Sequence, residues 1–116
     1  MRDLGERIAV VIAGLLIALA APCAIAQSSA NDQAMLKLAR DRNCMTCHAI
    51  DRTLLAPSYR DIAKRYAAKP HAVDDLATSI SDGSRGTWGS IPMPASPQLA
   101  SGEAERLANW ILGFTR

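Results

Sequence analysis

The pentapeptide Cys44-Met45-Thr46-Cys47-His48 constrains this chain more than any other feature. Thiols at i and i+3 fall on one side of a helical turn, and an imidazole follows at once, so three reactive groups are gathered within five residues. The remaining cysteine, Cys23, belongs to an apolar N-terminal stretch. From Gln27 onward both thiols lie inside the pentapeptide, which excludes a structural disulfide. The 90 residues from Gln27 to Arg116 make one domain, of a size that stabilises itself only marginally through its own core.

Two thiols with an imidazole directly after the second are what covalent haem attachment requires. Both sulfurs can add to the vinyl groups on one edge of a porphyrin, and the next residue then meets the iron. His48 can offer a neutral imidazole while its other ring nitrogen donates to a backbone carbonyl, which fixes the tautomer. A buried haem would also supply the apolar surface that the short chain lacks. A zinc site would need two further ligands, and beyond Gln27 only His71 stands besides His48. A thioredoxin-like redox pair would need βαβ surroundings, whereas the flanks here read as helical and polar.

The first 26 residues read as a cleaved secretory signal. Arg2 and Arg7 open it, an apolar run from Ile8 to Ala21 follows, and Ala24-Ile25-Ala26 supplies a small-x-small cleavage site. The alternative is an uncleaved anchor, since the apolar run approaches the roughly 20 residues that a spanning helix needs. Pro22 before Cys23 is a poor context for lipid attachment, so Cys23 is expected to leave with the leader. Residues 27–116 carry 11 Lys+Arg against 9 Asp+Glu. That balance, with few aromatics and no basic stripe, gives no footprint for nucleic acid.

Four helices are predicted and no strand. Met35, Leu38 and Ala39 give helical spacing in 33–43, after a polar stretch at 28–32. Ser58 and Asp61 form an N-cap pair ahead of Tyr59, Ile62, Ala63 and Tyr66. Val73, Leu76, Ala77 and Ile80 repeat the pattern up to a stop at Asp82-Gly83. Leu107, Trp110, Ile111 and Phe114 do so again after Ser101 and Glu103. Between the last two helices, residues 83–100 are rich in Gly, Pro and Ser, and a loop this long without its own structure usually has a function. Pro92 and Pro94 stiffen the backbone around Met93, which marks its thioether as a second axial ligand rather than packing filler. Trp88, in the same loop, needs both burial and an acceptor for its N–H. His71, in a Lys-Pro-His linker, reads as a solvated surface residue.

With CMTCHAID at 44–51, APSYRDIAKRY at 56–66, ISDGSRGTWGSIPMP at 80–94 and LANWIL at 107–112, the chain resembles the small soluble class I cytochromes c of the cytochrome c-551 (c8) group. The resemblance implies an all-α class I fold of about four short helices around one haem c, thioethers from Cys44 and Cys47, and His48 and Met93 as axial ligands. It implies further that the Pro57 carbonyl receives the His48 ring N–H and that Trp88 donates to a haem propionate. Ala56, Ser90 and Ala95-Ser96 depart from the group's usual Gly, Pro and Pro-Asn. The function expected is that of a monomeric periplasmic one-electron carrier, not an enzyme, with no stable membrane association once the leader is cleaved. Its donor would be a membrane cytochrome complex and its acceptor a terminal reductase or oxidase. The alternatives are a haem enzyme or gas sensor with an open sixth position, and a haem subunit docked permanently on a larger complex. The basic excess at Arg52, Arg60, Lys64, Arg65 and Lys69 is either a surface that steers an acidic partner or an ordinary solvated face.

Overall fold

A computed structural model describes residues 23–115. The expected leader falls mostly outside them. The chain divides into two compact units at the Asp32–Gln33 boundary, and the pentapeptide, Trp88 and Met93 all lie in the second. Helix α1 is continuous from Cys23 to Asp41. The polar stretch at 28–32, read from the sequence as preceding the helix, is therefore helical. No proline or glycine interrupts 23–41, and Gln27 to Ala34 are exposed. None of the described helices is long and apolar enough to cross a membrane.

In the second unit, α1 buries Met35 and Ala39. Asn43 then turns the chain at φ 65°, a left-handed conformation that asparagine tolerates, and leads into a single 3-10 turn at Cys44–Thr46. Helix α2 spans Tyr59–Tyr66. It begins where the sequence marks it: the Ser58 hydroxyl accepts from the Asp61 N–H at 3.0 Å and donates to the Asp61 carboxylate at 2.7 Å. Its buried side chains are Tyr59, Ile62, Ala63 and Tyr66. Helix α3 spans Ala72–Asp82, burying Leu76, Ala77 and Ile80, and Gly83 ends it. Helix α4 spans Glu103–Leu112 and continues into a 3-10 turn at Gly113–Thr115.

Helix α4 packs on both α2 and α3, and its Leu107, Ala108, Trp110 and Ile111 complete the core. Trp110 meets the rings of Tyr59 and Phe114 edge-on, with centroids 5.5 and 5.1 Å away. The start of α4 differs from the sequence reading. Ser101 is not its cap; Gly102 occupies that position at φ 80° without a side-chain bond. Glu103 instead reaches back to accept from the Ala100 N–H at 3.0 Å and clasps Arg42, whose Nε and Nη2 each donate at 2.9 Å. This bidentate pair links the chain just before Cys44 to the start of α4.

Among the described residues there is no strand, only one antiparallel bridge, Ser84 to Met93. The two backbones exchange bonds of 3.0 and 2.9 Å, and the Ser96 N–H donates to the Ser81 carbonyl at 3.0 Å. Between those ties the Gly-rich loop closes on the end of α3.

Candidate functional site

The pentapeptide folds as the 3-10 turn followed by His48, with the N–H groups of Cys47 and His48 both donating to the Cys44 carbonyl. Cys44 and Cys47 are free thiols, each partly buried. Burial pushes the Cys44 thiol above its ordinary value, so it stays neutral. The chain after the turn is tied in three places: the Ala56 N–H donates to Cys47, Tyr59 to Ala49 and Arg60 to Ile50. These bonds fold residues 49–58 back beside the turn and bring the Pro57 carbonyl to 2.7 Å from His48 Nδ1.

That contact sets the chemistry of the imidazole. A carbonyl can only accept, so Nδ1 carries the proton and Nε2 keeps its lone pair for a metal. Desolvation lowers the His48 pKa, and the bond to Pro57 pulls the other way without cancelling it. His48 is 7% exposed. It is therefore neutral at neutral pH, the form in which it can ligate. Tyr59 stacks on its ring, with centroids 5.4 Å apart and planes at 25°.

Two cavities open beside His48. An outer lobe of about 790 Å³, counted to its mouth, is lined by Cys47, Pro57, Ser79, Trp88 and Ile91 among others. An inner lobe of about 390 Å³ reaches Cys44, Tyr59, Ile80, Leu107 and Ile111. His48, Ile62, Leu76 and Met93 wall both lobes. The arrangement is thus one apolar slot with a thiol in each lobe and an imidazole and a thioether on its shared walls. Among the described residues, no Asp, Glu, Lys or Arg lines it. A flat apolar macrocycle with two covalent anchors and a soft metal-ligand pair fits this donor set and lining.

The profile of the Cytochrome c family matches residues 36–115. This chain belongs to the cytochrome c family. It is 45% identical over 86 residues to cytochrome c-552 of Hydrogenobacter thermophilus, covering 73% of this chain and 82% of that one. Cytochrome c-551 of Pseudomonas aeruginosa is 41% identical over 75 residues, covering 65% of this chain and 71% of its own. The crystal structure of Nitrosomonas europaea cytochrome c552 superposes with a TM-score of 0.67 at 40% identity, over 69% of this chain and 99% of that one. The fold is the all-α class I cytochrome c fold, and the resemblance to the c-551 group holds. Membership brings electron transport and one covalently attached haem c, with Cys44 and Cys47 at the spacing that attachment uses.

The residues singled out in the sequence are brought together: Cys44, Cys47, His48, Pro57, Trp88 and Met93 all line one lobe or both. His71 is exposed at the start of α3 and lines neither. Sequence reasoning missed three features. Tyr59 was read only as a core position, although it stacks on His48. Gly83 was read only as a helix stop. The Arg42–Glu103 pair spans 61 residues, a separation at which no local spacing rule operates.

Proposed function

We propose that this cytochrome c is a monomeric periplasmic one-electron carrier, and not an enzyme, in which Cys44 and Cys47 would hold the haem by thioether bonds and His48 and Met93 would both ligate its iron. The observation that carries this reading is that His48 and Met93 wall the same two lobes. The bound haem supplies a one-electron Fe(III)/Fe(II) couple. This chain's own residues set its character. Pro57 fixes the His48 tautomer. The neutral thioether of Met93 favours Fe(II), and the apolar walls at Ile62, Leu76, Ile80, Leu107 and Ile111 disfavour the additional charge of Fe(III), so the potential is high. With two protein donors on the metal no substrate reaches it, which leaves outer-sphere electron transfer. A membrane cytochrome complex is the donor and a terminal reductase or oxidase the acceptor in this reading. The small-x-small site at 24–26 supports export and cleavage after Ala26.

Optical spectroscopy tests the ligation. The oxidised protein should be low-spin with the weak sulfur-to-iron band in the far red, and the reduced protein should bind carbon monoxide poorly. Met93→Ala should lose that band, bind carbon monoxide and show a lower potential, whereas Met35→Leu should leave the spectrum unchanged. A wild-type protein that is already high-spin and binds carbon monoxide as readily as the variant would sink the carrier reading in favour of an enzyme or sensor.

A further inference from the structure

Trp88 stands at the mouth of the outer lobe and is 36% exposed. The guanidinium of Arg65 lies over its ring, 4.4 Å from the centroid. Arg65 itself lines neither lobe. The indole therefore separates a fixed cation from a slot whose lining includes no lysine, arginine or carboxylate. Arg65 occupies the last turn of α2, where the carbonyl end of the helix favours a positive charge. Trp88 belongs to the loop that also carries Met93. The stack thus ties α2 to the ligand-bearing loop at a point where the loop has two glycines at positive φ, Gly86 and Gly89, and little regular structure of its own.

We propose that Arg65 is the positioning residue that holds Trp88 across the cleft mouth and the cation that biases the haem site toward its reduced state. A guanidinium over an indole face gains from the ring quadrupole, and its planar shape resists the tumbling an ammonium would allow. The ring is thereby fixed with its N–H edge available to an acidic group of the ligand at the mouth. Reduction of the iron removes one positive charge from the slot, and a nearby cation favours that change. Field lines through an apolar slot are screened less than those between two solvated charges, so a cation one ring away outweighs an equal charge elsewhere on the surface.

This inference rests on haem occupying the cleft, so attachment and ligation are read apart from the potential. The experiment is a spectroelectrochemical titration of the wild-type holoprotein, Arg65→Gln, Arg65→Lys and Lys64→Gln, with the Trp88 indole N–H followed by NMR in each. Arg65→Gln should lower the ferrous-to-ferric ratio at fixed ambient potential by roughly threefold, where tenfold corresponds to 59 mV for one electron. Its indole N–H should exchange faster with solvent. Arg65→Lys keeps the charge and should recover most of the ratio but not the slow exchange. Lys64→Gln removes an equal charge one residue earlier and should shift the ratio less than half as much, with the indole unchanged. Equal shifts from Arg65→Gln and Lys64→Gln, or an unshifted ratio in Arg65→Gln, would overturn the proposal. Covalent haem and the far-red band should persist in all four proteins. Their loss in Arg65→Gln alone would also overturn it, whereas their absence from the wild type would count against the Met93 reading.

Discussion

At Gly83 one absent methyl group decides where Met93 can lie. The residue sits at φ 81°, and a Cβ added there would meet the Met93 carbonyl oxygen at 2.6 Å, the Ala95 nitrogen at 2.9 Å and the Pro94 carbonyl carbon at 3.0 Å. All three are backbone atoms, so no side-chain rotation can relieve the clash. Gly86, at φ 71°, has open space around the same position. The pair separates two costs. Gly86→Ala should lose only the left-handed backbone preference, about 1–2 kcal/mol. Gly83→Ala must in addition push the Ser84–Met93 bridge apart, so it should lose more in guanidinium unfolding of the holoprotein and weaken the far-red band, which Gly86→Ala should keep. Equal losses with both bands intact would mean that the bridge does not place Met93. The pentapeptide and the proline-flanked methionine were legible because their chemistry is local. The demand on Gly83 was not, because it arises from backbone ten residues away.

Elements show the same division. The cap of α2 is written in adjacent residues and forms as read, Ser58 with Asp61. The start of α4 is set by a partner 61 residues distant, which local signals at Ser101 could not reveal. Arg42 and its hydrogen bonds hold the Glu103 carboxyl below the usual carboxylate range, aided by the Ala100 N–H and opposed by burial, and the same pair raises the Arg42 pKa. A depressed carboxylate pKa means that the unfolded chain binds more protons than the folded one at acid pH. The contribution of the pair is therefore complete above the unfolded carboxylate value of about 4.3 and fades as pH falls through the lower folded value. Glu103→Gln should accordingly unfold at lower denaturant than wild type at pH 7, and the gap should close on acidification. Because the pair sits two residues before Cys44, the variant should also loosen the amide protection of residues 42–48 ahead of α3. A gap of constant size down to the acid limit would show that Glu103 acts through packing and not through its charge.

On the scale of the whole molecule, helix periodicity in Met35, Ile62, Leu76, Ile80, Leu107 and Ile111 reads correctly as core, yet all of these except Met35 also wall the inner lobe. A hydrophobic stripe states that a side chain leaves water; it does not state whether a protein side chain or a prosthetic group receives it. Each such residue contributes roughly 1.5–3 kcal/mol when fully buried, and a domain of this size has only ~5–15 kcal/mol in total. Ile62, Leu76, Ile80, Leu107 and Ile111 are only 1–6% exposed around the slot, so that burial is largely in place, and what a haem adds is packing contact across the slot, whose lining otherwise lacks partner atoms on one side. The haem would then act as a packing partner of the core that fills this slot. The Cys44→Ala, Cys47→Ala double variant tests this directly. Covalent haem should be absent after acid–organic extraction, whereas wild type keeps it. The variant should also lose cooperative thermal unfolding by circular dichroism and bind an apolar dye at neutral pH, as expected of a chain whose core retains an unfilled apolar slot. A double variant that unfolds cooperatively near the wild-type temperature without any haem would mean that α1 to α4 close on one another unaided, and that the slot is a consequence of binding and not a property of the folded chain.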